Sequence, residues 1–215
     1  MKVLCMLSGG SDSAYAALMA KTMWPHADFY GLFIDYGQPE APPERIASMA
    51  VFKRLMFNYN HWCEVKVSDL YVFHRQSVAE NNVYVPLRNL VLTSIAAAKA
   101  EALEAEVLVV GNKSLQKTEG EFLTYDGNRK FYKQLESLVQ SIEVTSHRIL
   151  IVPTLSENRT QKLTRKDVYF GLWKNGFEYG ETFSCWFARG FDECGECKNC
   201  VEKKLLWEQW RAFTT

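Results

Sequence analysis

Short apolar runs along the chain alternate with longer stretches in which apolar residues recur at helical spacing. The short runs predict strands, and the longer stretches, opened by proline or small polar residues, predict helices. The predicted strands are residues 2–7, 28–34, 62–67, 106–110 and 149–152. The predicted helices are residues 13–23, 43–57, 87–104, 129–142, 164–174 and 203–213. Residues 68–85 and 113–128 are predicted loops, the first with room for one short helix.

Strands that alternate with helices indicate an α/β fold: a parallel, doubly wound, Rossmann-like sheet covered by helices on both faces. In such folds, ligands bind outside the carboxyl ends of the strands. At 215 residues the chain fits one large domain with a small appendage. We therefore assign residues 1–180 to the α/β domain. Residues 181–215, which contain a cysteine cluster and the last helix, form a segment packed on it.

Composition narrows the possible classes of protein. Hydrophobic residues make up 47% of the chain and charged residues 23%, which is typical of a globular protein with a sizeable core. The 25 Lys and Arg residues balance the 25 Asp and Glu residues, and this neutrality argues against a nucleic-acid partner. The apolar run at residues 2–7 is too short for a signal peptide or a membrane span. We expect a cytoplasmic protein with no membrane partner.

The segment between the first strand and the first helix, Ser8-Gly9-Gly10-Ser11-Asp12-Ser13, has the composition of an anion-binding turn. Unpaired N–H groups and the positive end of the following helix favour an anion, and two glycines let the backbone approach a phosphate. The serine hydroxyls can donate to phosphate oxygens, and Asp12 can hold Mg²⁺ or cap the helix. Taken alone, the segment also fits an ordinary turn followed by an N-cap. It is not a Walker A motif.

Four of the six cysteines lie close together near the C-terminus, where a reducing compartment favours metal binding over disulfides. Their number equals that of a tetrahedral structural Zn²⁺ site, which leaves no open position for substrate and therefore supports folding. An iron–sulfur cluster fits the same spacing, and four thiols without metal are the remaining alternative. Cys5 and Cys63 are expected in the core. The candidate metal ligands are Cys185, Cys194, Cys197 and Cys200.

The glycine segment resembles the S-G-G-x-D-S signature of PP-loop ATP pyrophosphatases, which bind ATP at this loop and form adenylates. With further segments included, nearly the whole chain resembles the 7-cyano-7-deazaguanine (preQ0) synthase family of these enzymes. Those segments are Asp35-Tyr36-Gly37-Gln38, Tyr84-Val85-Pro86-Leu87-Arg88-Asn89, Thr182-Phe183-Ser184-Cys185-Trp186 and the cysteine motif from Cys194 to Cys200.

The resemblance implies a ligase that converts 7-carboxy-7-deazaguanine and ammonia into the nitrile, through an amide, in the queuosine pathway. Adenylation gives the unreactive carboxylate a leaving group, and a second activation of the amide oxygen permits dehydration, so two ATP are required. Positioning, Mg²⁺ and cationic side chains would supply most of the catalysis. The implied cofactors are ATP, Mg²⁺ and Zn²⁺.

The resemblance also implies which residues form the site. ATP would bind at the loop from Leu7 to Ser13 and near Asp35. The candidate catalytic residues are Asp12, Arg88, Arg165 and Lys166. The candidate substrate-binding residues are Gln38, Tyr84, Arg88, Asn89 and Asp126.

Each of these candidates also has a plainer interpretation. Arg88 has the fork geometry for phosphate or carboxylate but also fits a surface ion pair. Asp35 also fits a simple turn, and Arg165 with Lys166 also fits a solvated helix start. The four histidines form no motif and are expected to be structural or exposed.

Two segments depart from the family pattern. Tyr125-Asp126-Gly127-Asn128-Arg129 stands where family members usually carry a Tyr-Pro-Asp-Cys-Arg-like segment, which puts substrate recognition there in doubt. Arg165, with Lys166 beside it, stands where family members tend to have Lys. These departures also fit a relative that stops at the amide or uses deazaguanines in a phage or defence pathway.

Two other functions remain open at this point. A PP-loop tRNA-thiolating enzyme would use the cysteines for iron–sulfur chemistry or sulfur transfer, but the neutral charge disfavours a tRNA surface. A non-catalytic zinc-ribbon module leaves the Ser8–Ser13 segment unexplained. We expect a small-molecule substrate and a homodimer in which the terminal helix, with Trp207 and Trp210, packs on a second subunit.

Overall fold

The computed structural model describes residues 1–55, 57–68, 87–112, 128–142, 148–155 and 163–214. The strands are β1 (Lys2–Met6), β2 (Asp28–Asp35), β3 (Trp62–Lys66), β4 (Val107–Val110) and β5 (Leu150–Pro153). The helices are α1 (Ser11–Met23), α2 (Ala41–Arg54), α3 (Arg88–Ala102), α4 (Arg129–Gln140), α5 (Arg165–Lys174) and α6 (Lys198–Thr214). The five strands and six helices predicted from the sequence are confirmed.

The largest error in the predicted boundaries is at the last helix. It was expected to begin at residue 203, but α6 begins at Lys198 and includes Cys200. The backbone carbonyl of Cys197 accepts a hydrogen bond from Val201 N at 3.0 Å. The second half of the C-x-x-C pair is therefore the first turn of a helix, and its cysteine is placed by helical geometry.

All strand pairs in the sheet are parallel, in the order β3-β2-β1-β4-β5. The chain moves from β1 to β2 and β3 on one side and resumes with β4 and β5 on the other side of β1. The order therefore reverses between β1 and β4. In open parallel sheets, such a reversal creates a crevice at the carboxyl ends of the two neighbouring strands.

Each face of the sheet is buried against its own set of helices. Because side chains alternate along a strand, Val3 and Cys5 of β1 face one core cluster and Leu4 faces the other. Helices α1, α2 and α5 cover the first face, and the Ala-rich α3 and amphipathic α4 cover the second. Both predicted core cysteines pack in these clusters, Cys5 fully buried and Cys63 partly buried. The expected α/β fold, with helices on both faces of a parallel sheet, is confirmed.

The tryptophans of α6 pack within the chain. The Trp207 ring lies 4.9 Å from that of Trp173, and Trp210 lies 5.3 Å from Phe170, with both partners on α5. Both indoles are only partly buried by these contacts, and the expected packing on a second subunit stays a prediction. Among the helices of the described segments, none combines the length and apolar character that a membrane span requires.

Gly111, directly after β4, sits against the start of α1. A Cβ at Gly111 would lie 2.6 Å from Ser13 Cα and 2.9 Å from the Asp12 carbonyl oxygen. Both neighbours are backbone atoms that cannot rotate away. The missing side chain at Gly111 therefore lets the end of β4 approach the loop that follows β1.

We predict that Gly111→Ala lowers the free energy of unfolding by about 1 to 3 kcal/mol, because the added methyl group overlaps backbone of α1. The measurement is urea denaturation followed by circular dichroism. Gly180→Ala is the matched control, since a Cβ there meets nothing within 4 Å. Equal stabilities of the two variants would contradict this account of the close approach.

Candidate functional site

A cavity of about 1220 Å³ opens at the carboxyl ends of β1, β2 and β4. Its described walls come from six parts of the chain: the loop after β1, the loop after β2 with the first turn of α2, the start of α3, the end of β4, the start of α5, and the cysteine-rich segment with the first turn of α6. The cavity lies at the reversal of strand order, where the fold predicts a ligand. Leu7, Ser8 and residues 10–13 of the glycine segment line it.

The glycine segment is held in shape by Ser13. Ser13 Oγ donates to Gly10 O at 2.9 Å and accepts from Ser8 N at 3.1 Å. The Ser13 hydroxyl thus donates within the loop, and its expected donation to phosphate stays a prediction. Gly10 is the N-cap of α1, and as a glycine it has no side chain that could cap the helix. That leaves its first turn in the form that binds anions through backbone N–H groups.

The two glycines of the segment have different roles. Gly9 has φ +79°, and a Cβ there would lie 2.4 Å from the Glu44 carbonyl oxygen, so this residue brings the loop against α2. Gly9 O also accepts a hydrogen bond from Phe183 N at 2.8 Å. Gly10 lines the cavity, whereas Gly9 is absent from its described lining. The close approach to phosphate that the sequence predicted for both glycines therefore applies to Gly10.

A polar wall lines the same cavity as the glycine segment. Gln38 is buried; its Nε2 donates to Glu44 Oε2 at 2.7 Å, and its Oε1 accepts from Tyr36 N at 2.9 Å. Arg88, at the start of α3, hydrogen-bonds the Tyr36 side chain. Asn89 lines the cavity beside Arg88. The structure thus brings together three of the predicted substrate-binding residues, Gln38, Arg88 and Asn89.

Glu44 was missed by the sequence analysis. It lies in the first turn of α2, where an acidic residue ordinarily serves the helix dipole, and it has no motif around it. In the structure its side chain lines the cavity. Burial raises the pKa of Glu44 from 4.5 to about 7, against the opposing hydrogen bond from Gln38. A carboxyl that titrates near neutral pH in a cavity is a marker of a functional site.

Two predicted site residues lie away from the cavity lining. Asp35 Oδ1 accepts from Gly37 N at 2.9 Å, which is the simple turn that was the alternative reading. Lys166 Nζ lies 5.0 Å from the centre of the Phe170 ring and 5.9 Å from that of Phe213, between α5 and α6. The described lining of the cavity includes neither residue. Tyr84 and Asp126 fall outside the described residues.

Arg165 is the member of the Arg165–Lys166 pair that reaches the cavity. Its Nη1 donates to Asn199 Oδ1 and lies 3.2 Å from Glu202 Oε2, and both partners belong to α6. Asn199 also lines the cavity and lies between Cys197 and Cys200 in the sequence. The direction of the Arg165 guanidinium is therefore set by the cysteine-rich end of the chain.

The four predicted metal ligands converge. The Sγ atoms of Cys185, Cys194, Cys197 and Cys200 all lie within 4.8 Å of one another. Backbone amides point at the sulfurs: Phe187 N and Cys194 N donate to Cys185 Sγ at 3.2 Å each. Backbone donors from Glu196 and Cys197 lower the pKa of Cys194 to about 7, whereas burial raises the pKa of Cys185 and that of Cys200. Amides directed at sulfur stabilise thiolates, the form that binds metal, so this cluster is able to hold a metal.

Lys203 is a second residue that the sequence did not reveal. Its side chain is 1% exposed, and Nζ lies 2.6 Å from Thr182 O and 3.0 Å from both carboxylate oxygens of Glu193. Glu193 Oε1 also accepts from Ser184 N at 2.7 Å. This buried ion pair joins α6 to the segment that carries Cys185 and lines the cavity.

We predict that Lys203→Met lowers the free energy of unfolding by about 3 to 5 kcal/mol, because it leaves Glu193 charged and poorly solvated. Chemical denaturation of the purified variant measures the loss. Lys204→Met is the matched control: the adjacent side chain is exposed, so its change is expected to stay within about 0.5 kcal/mol. A Lys203→Met protein as stable as that control would show that the ion pair does not hold the segment.

We predict that Glu44→Gln makes the protein more stable at pH 8. The folded-state pKa is raised from 4.5 to about 7, so the folded protein keeps a proton that the unfolded chain loses between these values. Parent stability therefore falls as pH rises from about 4.5 to about 7, and then levels off. The amide keeps the Gln38 hydrogen bond and has no charge to bury. We expect a gain of about 2 kcal/mol at pH 8 and little gain near pH 4.5.

Denaturation of parent and variant at matched pH values measures this difference. Glu208→Gln, which removes an exposed carboxyl on α6, serves as the control and is expected to show no such trend. A stability difference for Glu44→Gln that is constant from pH 5 to pH 8 would contradict the raised pKa.

Comparison with known proteins gives one family over almost the entire chain. A family model described as Queuosine biosynthesis protein QueC matches residues 2–211. A 7-cyano-7-deazaguanine synthase of Methanococcus maripaludis strain C5 is 26% identical, over 97% of this chain and 95% of its own length. The synthase of Methanosphaerula palustris is 28% identical over 93% and 91%. The synthase of Pyrococcus horikoshii is 33% identical over 65% of this chain and 56% of its own length.

A solved structure adds a likeness in fold. The U34-tRNA thiolase NcsA from Methanococcus maripaludis with its [4Fe-4S] cluster matches with a TM-score of 0.51 and 12% identity, over 99% of this chain and 72% of that one. At this identity the likeness concerns the fold alone. Because the family model extends from residue 2 to residue 211 and the expected site segments converge on one cavity, the chain belongs to the queuosine biosynthesis protein QueC family.

Proposed function

We propose that this protein converts 7-carboxy-7-deazaguanine and ammonia into 7-cyano-7-deazaguanine, with two ATP consumed in succession. The observation that supports this most is that one cavity is lined both by the glycine loop, with Gly10 at the N-cap of α1, and by a wall carrying Arg88 and Asn89. The family match and the relatives named 7-cyano-7-deazaguanine synthase point to the same reaction. The cavity exceeds the roughly 300 to 1000 Å³ of common ligand pockets, as a site for ATP and a second molecule requires.

The proposed ATP site is the loop from Ser8 to Ser13. Backbone N–H groups at the start of α1 would bind the phosphates, with the hydroxyls of Ser8, Ser11 and Ser13 as further donors. Asp12, at the start of α1, would hold Mg²⁺, which neutralises charge on the triphosphate. Arg165 lines the same cavity from the start of α5 and can stabilise the charge that builds on the departing pyrophosphate.

The proposed substrate site is the polar wall. Arg88 presents a planar fork that matches a carboxylate, and Asn89 offers both a donor and an acceptor to a purine-like edge. Gln38 positions this wall through its bonds to Tyr36 and Glu44. Adenylation of the substrate carboxylate gives ammonia a leaving group to displace. Activation of the amide oxygen in the same way then permits loss of water to the nitrile. Tyr84 and Asp126 remain predictions for this wall.

We propose that the cysteine cluster holds one Zn²⁺ ion. Tetrahedral Zn–S bonds of about 2.3 Å place sulfurs about 3.8 Å apart. The pair Cys194–Cys200 lies at 3.9 Å and the pair Cys197–Cys200 at 3.4 Å. In a four-iron cluster each thiolate binds a different iron, which spreads the sulfurs farther apart. With four protein ligands the ion has a structural role, and it would hold Cys185 and Trp186 in the cavity wall.

The expectations about partners and location belong to this proposal. A small-molecule reaction needs no nucleic-acid surface, and the chain has 25 basic and 25 acidic residues. Thiolate ligands persist in a reducing compartment, which supports a cytoplasmic location. A homodimer remains a prediction; the tryptophans of α6 pack on α5 and are only partly buried.

The reaction is tested by incubating the zinc-loaded protein with ATP, Mg²⁺, ammonium and 7-carboxy-7-deazaguanine, with mass detection of acid, amide and nitrile. We predict that Arg88→Lys lowers kcat/KM by about 100-fold, because lysine lacks the planar fork. Arg45→Lys is the control, since Arg45 pairs with Glu64 on the surface and is outside the described cavity lining. Absence of substrate consumption by the parent protein would reject the proposed function. Amide as the final product would restrict the function to the first step, the conversion of the acid into the amide.

A further inference from the structure

Three acidic side chains of the described residues line the cavity: Asp12, Glu44 and Asp167. Asp167 is committed to the start of α5, since its Oδ2 accepts from both Thr164 N and Thr164 Oγ1 at 2.7 Å. Asp12 lies on the phosphate loop itself, in the position proposed for Mg²⁺. No histidine of the described segments lines the cavity. Within the described lining, Glu44 is therefore the acidic group without an assigned task.

The position of Glu44 joins the two halves of the site. A Cβ at Gly9 would lie 2.4 Å from the Glu44 carbonyl oxygen, so this turn of α2 lies directly against the glycine segment. Its carboxyl is bound by Gln38, which belongs to the polar wall with Arg88. A substrate carboxylate held by Arg88 and adenylated by ATP at the loop would lie between these two elements. Glu44 is thus placed at the expected reaction centre.

The proposed reaction needs a proton acceptor at this centre. Near neutral pH most dissolved ammonia is ammonium, which has no lone pair to attack a carbonyl carbon. An enzyme that uses ammonia from solution gains rate from a group that removes this proton beside the electrophile. The two cations among the described lining residues, Arg88 and Arg165, cannot accept it, because guanidinium stays protonated.

We propose that Glu44 is the catalytic base that deprotonates ammonium beside the adenylated substrate; this rests on the proposed function. The Glu44 carboxylate takes one proton from ammonium. The freed nitrogen lone pair forms the C–N bond as the C–O bond to the phosphate of AMP breaks, and AMP leaves with the electron pair. The nitrogen then loses its remaining surplus proton to solvent, which gives the neutral amide. No oxidant or reductant is needed.

The surroundings of Glu44 suit this role. Burial raises its pKa to about 7, so near neutral pH it is present both as base and as acid. The charged groups that face it among the described residues are Glu40 at the N-cap of the same helix, Asp35 at the end of β2, and Arg88 from α3. The two carboxylates raise the pKa of Glu44 and the guanidinium lowers it.

The test separates adenylation from attack by nitrogen, using Glu44→Gln with Glu40→Gln as the matched control. The control substitution removes the same charge one helical turn away, and Glu40 is outside the described cavity lining. The first assay is pyrophosphate exchange into ATP, dependent on 7-carboxy-7-deazaguanine and run without ammonium. The second is amide formation at pH 7 with ammonium, and the third is hydroxamate formation with hydroxylamine, which is mostly uncharged at that pH. Thermal unfolding checks that both variants are folded.

We expect Glu44→Gln to keep pyrophosphate exchange and hydroxamate formation close to the parent rates while amide formation falls by about 100-fold or more. The difference in amide formation between Glu44→Gln and the parent should shrink toward pH 9, where free ammonia becomes abundant. Glu40→Gln should keep all three activities. The proposal is overturned if Glu44→Gln retains amide formation at pH 7, if hydroxamate formation falls with it, or if pyrophosphate exchange is lost, which would assign Glu44 to substrate binding. Failure of exchange in the parent would reject the proposed function itself.

Discussion

The parallel pairing of β1 with β4 is the constraint on which the site depends. The two strands are neighbours in the sheet, yet the helix after β1 covers one face and the helix after β4 covers the other. Their connections diverge, and a crevice opens between them. Gly111 lets β4 end directly against the first turn of α1. This close approach places the start of α1, the proposed phosphate site, in the lining of the crevice.

The crevice becomes a cavity because the cysteine-rich end of the chain closes one side. Phe183 donates to the carbonyl of Gly9, Asn199 holds the guanidinium of Arg165, and Lys203 pairs with Glu193 beneath the same segment. A metal at the four cysteines would therefore support more than its own loop. It would fix a wall whose backbone is bonded to the glycine segment, which links the folding of the C-terminal segment to the geometry of the proposed nucleotide site.

The polar wall shows how a fold places a reactive carboxyl without a local motif. Glu44 lies in the first turn of α2. It reaches the cavity because Gly9, which has no side chain, lets this turn pack against the glycine segment. Gln38 then fixes the carboxyl, and burial raises its pKa. The same helix turn thus supports the phosphate loop with its backbone and faces the cavity with its side chain.

The sequence by itself determined the order and type of the elements, the glycine loop and the cysteine ligands. Periodicity, turn residues and short motifs are local properties, and they are written in consecutive residues. Arg88, Asn89 and Gln38 were also found from short segments. The tertiary structure alone decided that Arg165 rather than Lys166 reaches the cavity. It alone brought in Glu44 and Lys203, because burial and pKa depend on which distant segments pack together.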